Sequence, residues 1–187
     1  MTLEDQLAKL GELGITLAPG ITIDDVLFSF SRDDYETKPF GLILFVLGVE
    51  VEREPWGRRF CQAAWNFDTE CIAGDGAYVA IARELCRVAG RPDAFSGLRD
   101  HVDLESGEAW VEYTVDGKQR RWTVEVNDDW ADTLTVAYMM GDLERDDRKF
   151  RSKDNGQAMV LYYLTDADAA RLSDLAGERL TTVTDPE

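Results

Sequence analysis

Residues Glu108 to Val126, EAWVEYTVDGKQRRWTVEV, decide the fold because they form two alternating segments on either side of Asp116-Gly117. Asp-Gly in this position predicts a β-hairpin, since a two-residue type I′ turn needs positive φ at both central residues. A turn of this length also sets the register of the two strands. Counting outward, it pairs Val115 with Lys118, Tyr113 with Arg120, Val111 with Trp122 and Ala109 with Val124. These pairs gather most of the apolar side chains of the hairpin on one face.

The opposite face of the predicted hairpin pairs Glu112 with Arg121, Trp110 with Thr123 and Glu108 with Glu125. A slip of one residue would turn every side chain to the other face, so the match between turn and apolar pattern supports this register. Trp110 then points outward with acidic neighbours along the chain. Two placements stay open for it: an exposed position in a protein interface, or burial under a helix on the second face of the sheet.

The first part of the chain, about residues 1–50, is predicted to be helical. Leucines recur at helical spacing over Leu3–Leu13, and Thr22 followed three residues later by Asp25 resembles a capping box. The apolar run Phe40–Val49 is too short for its periodicity to separate a core helix from a central strand, and we favour the helix.

The second part, about residues 51–187, is predicted to contain the sheet. Strands are expected within 59–72, 98–104 and 158–164, together with the two strands of the hairpin. Helices are expected after Gly74-Asp75-Gly76, over about 131–140 with a cap among 127–129, and from Thr165 to 175. Two charged segments are predicted to be connections, 31–37 and 142–153.

This order of elements predicts an α+β fold. The strand within 98–104 leads into the hairpin and forms a three-stranded antiparallel meander with it. We expect a single domain over 1–187, with an antiparallel sheet around the central Asp116-Gly117 hairpin and helices packed mainly on one face. No internal repeat or low-complexity linker divides the chain.

The most unusual property of the composition is charge. Lys and Arg number 20 against 37 Asp and Glu, which gives a net charge of −17 and a pI near 4.4. Such a charge repels phosphate backbones and anionic lipid surfaces and attracts basic partners. The composition therefore argues against direct nucleic-acid or membrane binding, and for a basic protein partner. It says nothing about the oligomeric state.

The sequence also indicates a compartment. Met1–Leu10 mixes charged residues with leucine, so no secretory signal is predicted, and the longest apolar run is too short to span a membrane. The three cysteines, Cys61, Cys71 and Cys86, contain no C-x-x-C pair and suggest reduced, mostly buried thiols. A cytoplasmic location is expected.

Two groups of residues are candidate metal ligands. Asp68 and Glu70 lie two apart on a predicted strand, and His101, Asp103 and Glu105 share the same spacing on another, so each group projects from one face. A metal-dependent enzyme using Asp68, Glu70, His101 and Asp103 is the alternative functional hypothesis. The alternation is equally typical of a half-solvated strand, which we favour because the spacing carries no metal-specific geometry.

Familiar catalytic motifs do not occur in the sequence. Gly74-Asp75-Gly76 lacks the third glycine of a dinucleotide fingerprint, and no Gly-Lys-Ser/Thr phosphate loop is present. Ser96 lacks the preceding glycine of a nucleophile elbow, and a triad would have to use the single histidine, His101. Catalysis by these routes is disfavoured, and no cofactor is predicted.

Four segments resemble those of a group of small acidic bacterial proteins without assigned chemistry: VEREPWGR at 51–58, FDTECI at 67–72, HVDLE at 101–105 and VNDDW at 126–130. In size, acidity and α+β layout the chain is also similar to immunity proteins that neutralise polymorphic or contact-dependent toxins. The resemblance implies a cytosolic protein with a protein partner, and it supplies no catalytic residues.

The leading hypothesis is thus an acidic protein-binding module, of the immunity-protein type, that covers the basic active surface of a toxin such as a nuclease. Its predicted partner-binding residues are carboxylates and aromatic side chains: Asp68, Glu70, Trp110, Glu112, Asp128, Asp129 and Trp130. A third possibility is a subunit or scaffold whose acidic surface only maintains solubility.

Overall fold

Two antiparallel sheets organise the chain. A computed structural model describes residues 1–145 and 147–184. Within these residues it contains seven helices and seven strands, in the order α1 (Leu3–Gly11), α2 (Ile23–Val26), α3 (Arg32–Thr37), α4 (Gly41–Val46), β1 (Ala64–Asp68), α5 (Ala77–Val88), β2 (Ser96–Asp103), β3 (Glu108–Val115), β4 (Lys118–Thr123), α6 (Thr133–Leu143), β5 (Lys149–Asn155), β6 (Ala158–Leu164), α7 (Asp166–Ala176) and β7 (Thr181–Thr182). The α+β class predicted from the sequence is confirmed.

The larger sheet has four strands in the order β1-β6-β5-β7, all antiparallel. Strand β6 of this sheet carries apolar side chains on both faces, and other elements cover each face. Val160 and Tyr162 pack with the N-terminal helices and α7, whereas Leu161 and Tyr163 pack with α5 and α6. The larger sheet therefore separates two hydrophobic cores.

The smaller sheet is the predicted meander, in the order β2-β3-β4. The predicted hairpin register is confirmed, from Val115 opposite Lys118 to Trp110 opposite Thr123. Asp116 and Gly117 both adopt positive φ, 47° and 75°, as a type I′ turn requires. The apolar face of β3 packs in the same core as α5 and α6. The hairpin thus lies in an outer layer beyond these two helices, and the chain has two sheets where we expected one.

Several sequence predictions about single elements are confirmed. Thr22 and Asp25 form a capping box at α2, with the Thr22 amide donating to the Asp25 carboxylate at 2.8 Å. The run that begins at Phe40 contains a helix, α4. Thr165 caps α7 by accepting a hydrogen bond from the Asp168 amide, and Gly177 ends that helix with φ of 67°.

Other element predictions are wrong for local reasons. The segment 31–37 contains a helix, α3, because Ser31 and Asp34 form a second capping box. The N-cap of α6 is Asp132 and none of 127–129, since the Asp132 carboxylate accepts from the Leu134 and Thr135 amides. The segment 142–153, whose Asp146 lies outside the described residues, was expected to be a connection and contains the start of β5. Within the described ranges, no helix has both the length and the apolarity to cross a membrane.

Candidate functional site at an acidic pole

Four loops meet at one end of the molecule, and we call residues 68–76, 103–108, 124–132 and 154–157 the acidic pole. Main-chain hydrogen bonds join the first loop to the third, from the Ile72 amide to the Asp129 carbonyl at 2.8 Å and from the Ala131 amide to the Thr69 carbonyl at 2.7 Å. The Thr69 hydroxyl also donates to the Gln157 carbonyl in the fourth loop, at 2.6 Å.

The second loop of the pole follows β2. The amide of Val102, the residue just before this loop begins, donates to the Asp75 carboxylate in the first loop at 2.6 Å. Leu104 of the second loop lines a narrow crevice together with Val126 and Trp130 of the third. The four loops are thus held in one continuous surface by contacts between them.

The acidic pole concentrates negative charge. Its loops contain three, three, four and one carboxylates, eleven in all, and no Lys or Arg. The eleven are Asp68, Glu70, Asp75, Asp103, Glu105, Glu108, Glu125, Asp128, Asp129, Asp132 and Asp154. Since the whole chain has a net charge of −17, most of its excess negative charge lies on this one surface.

Outside the pole several carboxylates form ion pairs with arginines, whereas in the described part of the chain no pole carboxylate does. Asp25, away from the pole, binds Arg53 at 2.8 Å and Arg58 at 3.2 Å. Among the ion pairs that the described residues show, only one reaches a pole carboxylate, from His101 Nδ1 to Asp75 Oδ1 at 3.2 Å. The charge of the pole is therefore largely uncompensated by the protein itself.

Some carboxylates of the pole bind nearby hydroxyl or main-chain groups. Asp103 accepts hydrogen bonds from Ser106 and from the Glu105 amide, and the Ser106 contacts are the main reason that its pKa lies below the ordinary value. Asp68 accepts from the amide of Glu70 at 3.0 Å. At Asp103 these hydrogen bonds favour the ionised carboxylate.

Apolar side chains lie among these charges. Trp130 is 37% exposed and Leu104 is 40% exposed, and both line the crevice, whose floor includes Ile72 and Val126. A partly exposed indole beside an exposed leucine, with carboxylates around them, is the arrangement in which protein interfaces concentrate binding energy.

The pKa of the Cys71 thiol depends on the electrostatic potential at the pole. Desolvation raises its pKa to about 11, and the nearby carboxylates of Asp68 and Asp129 contribute to the rise. A negative potential disfavours the thiolate, so the thiol is neutral at physiological pH. Cys71 is the one exposed cysteine of the three.

Five of the seven residues predicted to bind a partner lie in the pole: Asp68, Glu70, Asp128, Asp129 and Trp130. The main chains of Glu70 and Trp130 form a β-bridge, and Glu70 accepts a hydrogen bond from the Gln157 side chain at 2.8 Å. Asp128 adopts φ of 52°, a left-handed conformation that Asp and Asn tolerate better than other side chains. The loops therefore bring together residues that are up to about 60 positions apart in the sequence.

Trp110 and Glu112 lie on a different surface, the outer face of the smaller sheet. Glu112 forms ion pairs with both Arg99 and Arg121, which hold its pKa below the ordinary value, Arg99 having the larger effect. The Trp110 ring lies 3.9 Å from the Arg121 guanidinium and 5.9 Å from that of Arg99. Trp110 thus shares its face with its acidic strand neighbours, as expected, but also with Arg99 and Arg121 from the neighbouring strands, which compensate the charge of Glu112.

The four candidate metal ligands, Asp68, Glu70, His101 and Asp103, do not form a metal centre. His101 lies beside Asp75, and the Asp103 carboxylate turns back to the amides of its own turn. In the ranges 1–145 and 147–184, no three His, Cys, Asp or Glu side chains are grouped as a metal ion requires.

A large open cavity lies between α7 and residues 177–182 and has a volume of about 1040 Å³. Arg151 of β5 lines it and binds Asp166 and Thr182, while its Nε atom is buried without a partner. Sequence reasoning missed this cavity because β5 was expected to be a connection. Its lining mixes Arg151 and Arg179 with three carboxylates, so it presents no dominant charge.

Comparisons with protein-family models, with curated proteins and with solved structures found no match to this chain. Carboxylates around exposed apolar side chains are suited to binding a cationic protein surface.

Proposed function

We propose that the protein is an acidic binding module that holds a basic protein partner against the acidic pole. The observation that carries this proposal is the set of eleven carboxylates in four adjoining loops that contain no Lys or Arg. A surface of this kind leaves a large negative potential for a partner to neutralise. Where a protein only needs solubility, carboxylates interspersed with Lys and Arg over its surface serve that purpose.

Charge and apolar surface would act at different stages of binding. The field of the pole attracts a basic partner within about a Debye length of the surface and orients it, which raises the association rate. Close contact then depends on the apolar centre, where Trp130 and Leu104 lose their remaining water. The carboxylates that surround this centre fix the register of the complex and select against acidic partners.

The negative charge of the acidic pole indicates what kind of protein it could bind. An array of carboxylates resembles the negative charge of a nucleic-acid backbone, and the active cleft of a nuclease is built to bind such charge. We therefore place the protein among bacterial immunity proteins, as a cytoplasmic inhibitor that covers the basic cleft of a toxin such as a nuclease. Its small size, its acidity and its α+β fold support this assignment.

The test is capture of the partner from a native lysate of the source organism by the wild-type chain and two variants. One variant combines Asp128→Asn, Asp129→Asn and Trp130→Ala in the pole. The control combines Asp24→Asn and Asp33→Asn, two exposed carboxylates outside it. We expect the wild type and the control to retain a basic protein in stoichiometric amount, and the pole variant to lose it. Equal capture by all three, or no capture by the wild type, would contradict the proposal.

A further inference from the structure

A small pocket lies between α2, α4 and the chain that follows α4. Its volume is about 80 Å³. Six of its eight lining side chains are apolar, among them Val26 of α2, Phe45 of α4 and Phe60. The other two are Ser29 and Glu52. None of the lining residues belongs to the acidic pole, so the pocket is a separate feature of the surface.

The floor of this pocket is apolar, and its polar side chains stand at the mouth. Val26, Val46 and Phe60 are buried, whereas Ser29 and Glu52 are exposed. A water molecule held at the floor would need about two to four polar partners, and the side chains of the floor offer none. An apolar group that enters the pocket therefore replaces poorly bound water, which favours binding.

Contacts around the pocket hold its walls in place. The Ser29 hydroxyl donates to the Glu52 carboxylate at 2.6 Å, which joins the loop after α2 to the segment after α4. The Tyr35 hydroxyl donates to the Val26 carbonyl at 2.7 Å, and the Phe30 ring lies edge-on to the Tyr35 ring, with centroids 6.3 Å apart. The pocket is thus formed before a ligand arrives, so little binding free energy is lost in ordering it.

The polar side chains at the mouth select the head group of a ligand. The Ser29 hydroxyl already donates to Glu52, so both side chains can only accept further hydrogen bonds. Among the described residues, Glu52 has Ser29 as its hydrogen-bond partner and forms no ion pair. The neighbouring Arg53 does not line the pocket, because two of its nitrogens bind Asp25 at 2.8 and 2.9 Å. The mouth therefore favours a cationic donor over a neutral or anionic group.

The volume of the pocket limits the size of the apolar group. A cavity of about 150 Å³ accommodates benzene. This pocket offers about 80 Å³, so a branched alkyl group of roughly three to five carbons fits it. Phe30 at the rim is 37% exposed and extends the apolar surface from the floor toward the mouth.

We propose that this pocket binds a small aliphatic amine. The branched alkyl group of the amine occupies the floor, between Val26, Phe45 and Phe60, and its ammonium group pairs with the Glu52 carboxylate at the mouth. The inference does not depend on the acidic pole, and it holds whether or not the pole binds a basic partner.

The probes are three ligands that share one alkyl group: isopentylammonium, isopentanol and isocaproate. Each is titrated into the isotope-labelled full chain, and binding is followed through the methyl resonances of Val26, Val46 and Val49, which line the pocket. We expect saturable shifts with millimolar dissociation constants. The ammonium should bind about threefold more tightly than the alcohol, as is typical of an exposed ion pair, and the carboxylate should bind most weakly. Ethylammonium carries the same charge on a shorter chain and should not bind detectably, because it buries too little apolar surface.

Protein variants locate the ligand. Glu52→Gln removes the charge and keeps an acceptor for Ser29, and Glu54→Gln is the matched control because Glu54 is exposed and does not line the pocket. We expect Glu52→Gln to bind the ammonium and the alcohol equally, and Glu54→Gln to keep the preference of the wild type. Val49→Phe fills the pocket and should abolish the shifts of Val26 and Val46 with every ligand. Thermal unfolding verifies the fold of each variant, and Val49→Met replaces Val49→Phe if the latter does not fold.

Three results would overturn the proposal. One is that no ligand shifts the resonances of the pocket valines in a saturable way. Another is that the wild type binds the ammonium and the alcohol equally, or that Glu52→Gln keeps the preference for the ammonium. The third is that sedimentation shows a dimer of the wild type that Val49→Phe abolishes, which would assign the pocket to a side chain of a second copy.

Discussion

The amide of Ile72 donates a hydrogen bond to the carbonyl of Asp129 at 2.8 Å, which fastens the loop after β1 to the loop before α6. Asp68 and Asp129 lie in these two loops, and both carboxylates raise the pKa of the Cys71 thiol. The main chain thus holds like charges together, with no Lys or Arg in either loop. Such an arrangement costs stability through repulsion, and binding of a basic partner would offset that cost.

The first prediction concerns charge at the pole. Asp128→Asn combined with Asp129→Asn should weaken binding of the captured partner about tenfold, about 1.4 kcal/mol, because two carboxylates beside the apolar centre become neutral. Asparagine keeps the left-handed conformation of residue 128. The affinity is measured by calorimetry, and Asp24→Asn with Asp33→Asn is the control of equal charge change. Equal weakening by both pairs would show that only the total charge matters.

The second prediction concerns the apolar centre. Trp130→Ala should weaken binding of the partner by about 2 kcal/mol or more, as is typical of a tryptophan at the centre of an interface. Because Trp130 is only 37% exposed, the thermal unfolding of the variant is measured as well, so that a loss of affinity is separated from a loss of stability. Trp56→Ala is the matched control, since Trp56 is 68% exposed and lies outside the pole. Unchanged affinity in Trp130→Ala would place the centre of the interface elsewhere.

The third prediction uses Cys71 to measure the potential at the pole without any partner. Desolvation and the carboxylates of Asp68 and Asp129 raise the thiol pKa to about 11. Asp68→Asn combined with Asp129→Asn should lower that pKa, because the neutral amides no longer disfavour the thiolate. The rate of alkylation by iodoacetamide as a function of pH gives the pKa, and Cys61 and Cys86 are buried. A thiol pKa that stays the same or rises in the variant would contradict the assigned electrostatics.

The fourth prediction contrasts a paired carboxylate with those of the pole. Asp25 is 4% exposed, accepts from the Thr22 amide, and binds Arg53 and Arg58. Asp25→Asn should lower the free energy of unfolding by about 1–3 kcal/mol, because buried hydrogen bonds to a charged group are lost. Asp128→Asn should lower it by less than about 0.5 kcal/mol. Urea unfolding gives both values, and equal losses would contradict the distinction between paired and unpaired acids.

The same variant has a pH signature. Hydrogen bonding from Thr22, followed by the interaction with Arg53, holds the pKa of Asp25 well below its ordinary value of 3.8. A carboxyl group with a depressed folded-state pKa stabilises the protein above its unfolded pKa, and loses that effect as the pH falls toward its folded pKa. The difference in unfolding free energy between wild type and Asp25→Asn should be constant above about pH 5 and shrink below pH 3.8. A difference that grows on acidification would be inconsistent with this pairing.

Local chemistry made parts of the fold predictable. The Asp116-Gly117 turn determines the register of β3 and β4, and Thr165 with Gly177 marks both ends of α7. In each case neighbouring residues decide the structure through turn geometry or capping. Strand β5 was missed because only Phe150 and Ser152 of its seven residues are buried, so its apolar pattern is weak. Its pairing with β6 makes it a strand.

The site could be predicted only in part. The sequence identifies Asp68 and Asp128 as candidate binding carboxylates, but the two loops that carry them are brought together by contacts such as the hydrogen bond from the Ala131 amide to the Thr69 carbonyl, between residues far apart in the sequence. The sequence predicts acidic neighbours for Trp110 on its own strand but does not show that Arg99 and Arg121 reach its ring across the sheet. Whether a carboxylate is neutralised depends on which side chains lie next to it on the neighbouring strands. The amino-acid composition alone does not show this.

The most direct test of the central claim is amide hydrogen exchange of the protein alone and in complex with the partner captured from the lysate. The account predicts that binding slows exchange in the loops of the acidic pole, above all in residues 124–132 and 68–76, and that this protection weakens at high ionic strength. Protection confined to other surfaces, with the pole exchanging as fast in the complex as in the free protein, would contradict it.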